Sequence, residues 1–258
     1  METYKLFSSC QHGFRNHKSC VTQLLEVMND FTKLIENQEN IDCIYLDFRK
    51  AFDTVPHLRL MNKLKAYGIN DNLSKWIYNF LSGRRQRVRV NDSYSEYANV
   101  NSGIPQGSIL GPVLFIIFIN YLPDVVRSIC KIFADDTKIY ESDKNHQSLQ
   151  EDLHKLLEWS ERWQLFFNSS KCSCLHYGST NKKHTYYIDQ NHTTELKTTS
   201  SEKDVGVTFS SDLKFDLHIS NIIKKANRMT GSLYFFKIVQ IFDQTKSRIC
   251  KHYLESSI

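Results

Sequence analysis

Two short apolar runs in this chain break off at carboxylates, and that coincidence limits its possible folds more than any other feature. Ile41 to Phe48 reads as a buried strand with Asp47 near its end. Ile129 to Phe133 reads as a second strand, running into Ala134-Asp135-Asp136-Thr137 at a bend before Lys138 to Tyr140. If these strands are neighbours in one sheet, Asp47 and Asp135 converge, with Asp136 alongside. Carboxylates gathered in this way offer the hard oxygen donors that magnesium prefers, and such a group can hold two divalent cations side by side. Singly, each feature is ordinary: Asp-Asp is a common turn pair and one acid after a strand is unremarkable. The flanking sequence has to decide.

Around these strands the hydrophobic pattern is mostly helical. Val21, Leu24, Leu25, Met28, Phe31, Leu34 and Ile35 predict an amphipathic helix over roughly 18–37. A second helix is expected over 58–67, stopping at Gly68, and a third from Leu73 to Leu81, ending at Ser82-Gly83. The segment 85–90 alternates strictly, which as a strand puts Arg85, Arg87 and Arg89 on one face and Val88 and Val90 on the other. Asn91-Asp92 then marks a hairpin turn that returns through Tyr97 to Val100. Gly103-Ile104-Pro105-Gln106-Gly107 carries too much Gly and Pro for regular structure, and an apolar helix follows from about Pro112. Leu149, Leu153, Leu156, Leu157 and Trp163 mark another helix, followed by a strand over 172–177. Residues 179–203 are polar and weakly patterned, a loop or hairpin. Ile219, Ile222, Ile223, Ala226, Met229 and Leu233 trace a last helix with Lys224, Lys225 and Arg228 on its other side. This order suits an α+β fold, a sheet covered on one face by helices.

Composition bounds the rest. With 258 residues, 41% of them hydrophobic and 24% charged, the chain can bury a substantial core and is not a disordered segment. A net charge of +5 is too mild to name a partner, so the placement of the basic residues must do so. The seven cysteines are an odd number without framework spacing, which fits a reducing compartment. Cys172, Cys174 and His176 could ligate zinc, but their period of two fits one strand better. No secretory signal is visible at the N-terminus. The run Ile109 to Leu122, interrupted by Gly111, Pro112 and Asn120, falls short of the roughly 18 residues of a spanning helix and reads as a buried one. The expectation is an intracellular protein, nuclear or cytoplasmic, neither secreted nor membrane-bound.

The flanks carry ordered motifs. Asp47 is followed by Phe48-Arg49-Lys50-Ala51-Phe52-Asp53-Thr54-Val55-Pro56-His57. Ser102-Gly103-Ile104-Pro105-Gln106-Gly107-Ser108-Ile109-Leu110-Gly111-Pro112 precedes Phe133-Ala134-Asp135-Asp136. Gln11-His12-Gly13-Phe14-Arg15 lies near the start, Asn168-x-x-Lys171 follows the long helix, and Lys203-Asp204-Val205-Gly206-Val207 with Leu217-His218-Ile219 comes last. In this combination and order the chain resembles the reverse transcriptase domain of non-LTR, LINE-type retrotransposons, most like the jockey and CR1 groups, from about residue 10 onward.

The resemblance implies a polymerase palm, an antiparallel sheet covered by helices on one face, with partial fingers and a truncated thumb. Its boundaries would be 1–40 for the partial fingers, 41–210 for a palm with an inserted fingers hairpin near 68–100, and 211–258 for the start of the thumb. It implies RNA-directed DNA polymerase activity on an RNA template and a DNA primer, with dNTP as substrate and two Mg²⁺ ions, or Mn²⁺, as cofactors. Asp47 and Asp135 would be the main metal ligands, Asp136 supporting, and Lys171 would neutralise or protonate the leaving pyrophosphate. Phe52 would lie under the sugar and exclude a 2′-hydroxyl, where the residue-level alternative is a core aromatic. Gly103, Pro105, Gln106 and Gly107 would lie against the template base and incoming nucleotide, glycine permitting close backbone approach. Arg85, Arg87 and Arg89, and Lys224, Lys225 and Arg228, would follow phosphate backbone. The family's upstream fingers strand is not matched, so an incomplete copy is expected. Two other readings stay open: an inactive remnant that only binds nucleic acid, and an RNA-directed RNA polymerase. The oligomeric state is not fixed by the sequence.

Overall fold

The computed structural model describes residues 1, 4 and 6–231; Leu233 and the rest of the expected segment 211–258 beyond residue 231 lie outside the described residues. In chain order the first half comprises α1 (Cys20–Glu36), β1 (Ile41–Leu46), α2 (Ala51–Thr54), α3 (His57–Ala66), α4 (Asp71–Leu81), β2 (Arg85–Gln86), β3 (Arg89–Val90), β4 (Ser93–Tyr94) and β5 (Ala98–Asn99). Then come α5 (Leu110–Ile119), β6 (Ile129–Phe133), β7 (Asp136–Ser142), α6 (His146–Trp163), β8 (Ser173–Tyr177), β9 (Lys197–Thr199), β10 (Ser201–Asp204) and β11 (Val207–Ser210). A final helix begins at 216 and is described as far as residue 231.

The elements start and stop where local chemistry tells them to. Ser19 caps α1 reciprocally, its hydroxyl accepting from the Thr22 N–H while Thr22 Oγ1 accepts from the Ser19 N–H. Asn70 caps α4 through the Leu73 N–H, and α3 ends at Tyr67 before Gly68 in the left-handed region at φ +77°. Helix α5 is apolar all round and accordingly buried, as expected of the run 109–122.

β1 is the centre of a five-stranded sheet ordered β6-β7-β1-β8-β9, antiparallel except for the β8–β9 pair. Because side chains alternate along a strand, β1 feeds two cores. Ile44 and Leu46 pack with Leu60 of α3, Phe115 and Phe118 of α5 and Leu153 of α6. Ile41 and Cys43 pack with Val27 and Phe31 of α1, Tyr140, Leu175 and Phe209. Each fully buried phenylalanine or leucine here stabilises the fold by about 1.5–3 kcal/mol. The expected helical layer over one face is therefore α3, α5 and α6, and α1 adds cover to part of the other face.

Two local expectations change. Within the polar stretch 179–203, read as a loop or hairpin, lie β9, which extends the main sheet in parallel with β8, and the first part of β10. β9 is an edge strand and mostly exposed, so it had no need of apolar alternation that a sequence pattern could reveal. The continuous strand expected over 85–90 is broken into β2 and β3, pairing with β5 and β4 in an exposed hairpin. No core disciplines either face there; the turn itself stands where Asn91 predicts it, at φ +53°. The Cys172, Cys174 and His176 group is indeed one strand's neighbourhood. His176 Nδ1 lies 2.7 Å from Asp42 in a buried network that Tyr186 and Asn181 complete, and all six described cysteines are free.

Candidate active site

The register of the sheet brings the carboxylates together. Leu46 pairs with Thr137, so Asp47, one residue on, and Asp136, one residue back, fall side by side at the same end of neighbouring strands. Asp135 sits in the β6–β7 turn, which Ala134 makes possible by taking φ +55°. Beyond β1 the backbone at 47–49 runs against 166–168, with Asn168 N donating to Asp47 O at 2.8 Å and Arg49 N to Phe166 O at 2.8 Å. A turn from Asn168 then carries Lys171 back, leaving its Nζ 3.4 Å from both carboxylate oxygens of Asp47.

Asp47, Asp136 and Lys171 line one cavity of about 130 Å³ with Tyr45, Lys138 and Asp204. Lys138 and Asp204 are buried and joined by an ion pair, which fastens the β10–β11 hairpin to β7 beside the carboxylates. Desolvation raises the Asp135 carboxyl, and the charge of Asp47 adds to it. Asp136 is pushed up to about 6, by desolvation first and then by Asp135, Asp204 and Asp47. Burial is thus the main reason that both carboxyls are raised, with the neighbouring acids adding to it. Among the described residues no three acidic, histidine or cysteine side chains converge into a preformed cation cage. The donor set nevertheless suits Mg²⁺, which binds through one or two carboxylates and leaves other positions for water and substrate phosphates. A cation there would favour the ionised form of both carboxyls against the burial and neighbouring charge that raise them.

Phe52 and the glycine loop form one unit beside this end of the sheet. Phe52, on α2, is half-buried, stacked on Phe115 with ring centres 4.4 Å apart and edge-on to Phe14 at 6.4 Å. The loop is tied to α2 by Ile104 N to Phe52 O at 2.7 Å, Gly103 N to Val55 O at 2.8 Å and Gln106 Nε2 to Asp53 Oδ1 at 3.0 Å. Gly103 is needed for an internal reason: at φ +80° a Cβ would lie 2.4 Å from the Asp53 carbonyl oxygen. Gly107, at φ +83°, faces open space. Close approach of a ligand to bare backbone is thus available at Gly107, while Gly103 serves packing. Pro105 stands between them, its carbonyl accepting from Ser108 Oγ at 2.8 Å.

The basic residues are set apart from the cavity. Arg85 lies over Tyr97, Arg87 over Tyr94 at 3.9 Å and Arg89 over Tyr94, giving an exposed arginine–tyrosine ladder on the hairpin. Lys224, Lys225 and Arg228 are exposed on the final helix, and so are Ile219, Ile222, Ile223 and Met229 on its apolar side. Sequence reasoning gave no role to Lys138, Asp204 or Gln11. The signals were faint: Lys138 shares a strand face with Asp136 by its spacing of two, and Asp204 and Gln11 stood inside matched motifs.

A family profile described as reverse transcriptase (RNA-dependent DNA polymerase) matches residues 1–209. Among curated proteins, the chain is 30% identical over 253 residues to the probable RNA-directed DNA polymerase from transposon X-element of Drosophila melanogaster, covering 91% of this chain and 26% of that protein. It is 29% identical over 230 residues to the RNA-directed DNA polymerase from mobile element jockey of the same species, covering 84% and 25%. The chain thus spans about a quarter of the length of these relatives. Among solved structures, apo telomerase from Candida tropicalis superposes with a TM-score of 0.56 at 11% identity, over 80% of this chain and 37% of that one, a likeness of fold.

Proposed function

The chain belongs to the reverse transcriptase (RNA-dependent DNA polymerase) family, and we propose that it carries the nucleotidyl-transfer centre of such an enzyme, acting on an RNA template and a DNA primer with dNTP. The observation that supports this most is the meeting of Asp47 with Asp135 and Asp136 across the β1–β7 register, in a site whose raised carboxyls call for cations. Asp47 and Asp135 are assigned as main ligands of two Mg²⁺ or Mn²⁺ ions, with Asp136 in support. Divalent cations held there would supply activation of the primer 3′-hydroxyl and charge neutralisation at the α-phosphate. Lys171, already beside Asp47, provides the mobile cation for the leaving pyrophosphate. Phe52, held by its stacking on Phe115, lies under the sugar and excludes a 2′-hydroxyl, and the exposed backbone at Gly107 receives the nascent base pair.

In this reading 41–210 is the palm, with a fingers hairpin inserted near 68–100, 1–40 contributes to the fingers and 211–258 begins the thumb. Arg85, Arg87 and Arg89 on the hairpin and Lys224, Lys225 and Arg228 on the final helix follow phosphates, contacts that weaken with salt. Extension of oligo(dT) on poly(rA) with dTTP and Mg²⁺, compared with an Asp135→Ala control, tests the activity. Extension above the control supports it; duplex binding with no extension leaves a nucleic-acid-binding remnant. Phe52→Ala should admit ribonucleotides, and an unchanged dNTP/rNTP preference removes Phe52 from the sugar gate.

A further inference from the structure

Asp135 depends on a turn that would not hold its shape unaided. Ala134, just before it, has φ +55°, a left-handed conformation that costs an ordinary residue about 1–2 kcal/mol. The support comes from far away in sequence. Residues 10–12 run beside β6, with His12 N donating to Ile132 O at 2.8 Å and Ile132 N to Cys10 O at 3.0 Å. This places the Gln11 side chain, only 1% exposed, against the turn. Gln11 Oε1 accepts from Ala134 N at 3.0 Å and from Gly13 N at 2.7 Å, while Nε2 reaches the Ala134 carbonyl oxygen at 3.4 Å. Gly13 completes the fit, since a Cβ there would lie 2.3 Å from Ala134 N. One buried amide thus grips both backbone polar groups of the strained residue that precedes Asp135.

We propose that Gln11 is a positioning residue for the metal site, holding the Ala134–Asp135 turn in the geometry from which Asp135 binds a divalent cation, with Gly13 as the close-packed seat that lets it do so. The inference rests on the assignment of Asp135 as a metal ligand. Two features separate this role from generic core packing. Gln11 bonds backbone at the turn itself rather than the body of β6, and it is neutral, so it orients Asp135 without competing for the cation. Partners of this kind, one step removed from a metal, change affinity by about 10–100-fold when removed.

The test is direct Mn²⁺ binding to the full chain, followed by electron paramagnetic resonance well below each variant's unfolding temperature. Wild type should bind Mn²⁺ and Asp135→Asn should lose that binding; a wild type that binds none overturns the metal site, and this inference with it. Given a metal-binding wild type, Gln11→Met, which keeps the volume and removes all three bonds, should weaken Mn²⁺ affinity by about tenfold or more. Asp42→Asn loosens a buried network at the other end of β1, so it should lower the unfolding temperature and leave Mn²⁺ affinity unchanged. Gln11→Met binding within twofold of wild type, or Asp42→Asn losing affinity to the same extent, overturns the positioning role while leaving the metal site intact.

Discussion

Asp136→Asn should stabilise the metal-free protein, and the gain should depend on pH in a specified way. Asp136 is raised from 3.8 to about 6 by desolvation and by Asp135, Asp204 and Asp47. Between those two values the folded state keeps a proton that the unfolded chain has lost, so wild-type stability falls as pH rises through the window and levels off above about 6. Roughly two pKa units at about 1.4 kcal/mol each set an upper limit near 3 kcal/mol. Asp136 is exposed, so solvent screening reduces the expected cost at pH 7 to about 1 kcal/mol. Asparagine has no charge to repel. The variant should therefore be about 1 kcal/mol more stable at pH 7, a rise of about 2–4 °C in melting temperature for a chain of this size, with the gain vanishing near pH 4. Urea denaturation in EDTA at pH 4, 5, 6 and 7 measures this. Adding Mn²⁺ should then raise wild type more than the variant, because cation binding replaces repulsion with attraction. A variant less stable than wild type at pH 7, or a gain equal at pH 4 and pH 7, would refute the account of Asp136 as a carboxyl held up by burial and neighbouring acids.

Three further predictions concern residues around the site and in its support. Lys63 is buried among Phe118, Tyr121, Trp159 and Trp163, donates to the Phe118 carbonyl, and is pushed down from 10.5 to about 6 by burial. The unfolded chain then binds an extra proton between those values, so stability should rise with pH by about 1.4 kcal/mol per unit, and Lys63→Met should abolish that slope between pH 7 and 9; parallel profiles would mean that the ammonium stays charged on the rings. Gly103→Ala should destabilise by about 2–4 kcal/mol through its clash with Asp53, whereas Gly107→Ala, strained but unobstructed, should cost about 1–2 kcal/mol and act mainly on nucleotide addition; equal unfolding midpoints for the two would undo the distinction. Lys171→Ala should change stability by less than about 1 kcal/mol, since its pair with Asp47 is exposed, yet slow dTTP incorporation by about 10²-fold; an unaltered single-turnover rate removes Lys171 from the chemistry.

Much of this was legible in the sequence because local rules fix it. The helices α1, α3, α4 and α6 follow from apolar spacing and end signals, with caps such as Ser19 and Asn70 doing what their hydroxyl and amide chemistry favours. β1 is a buried strand, and its burial shows in the sequence as an apolar run, while β6, β7 and β8 carry shorter apolar stretches at their buried positions. The carboxylates stood out because they break those patterns at strand ends and the glycine loop because of its Gly and Pro content, whereas Phe52 drew a role only from the family resemblance. What escaped was structure without a hydrophobic signature. β9 gains its hydrogen bonds at an exposed edge, and the arginine hairpin has no core on either face.

The sequence by itself determined which segments form helices and buried strands, and which side chains are chemically able to hold a cation or accept a phosphate. Only the tertiary structure decided that Leu46 pairs with Thr137, so that Asp47 meets Asp136, and that Gln11 reaches across 123 positions to grip Ala134. It also decided that Lys138 pairs with Asp204 beside the site, and that Gly103 packs so closely on Asp53 that a Cβ has no room. The physical reason is one of range. Helix spacing, capping and turn preference act within a few residues, whereas register and buried polar pairing are set by which surfaces meet once the chain has collapsed, and no local pattern records that choice.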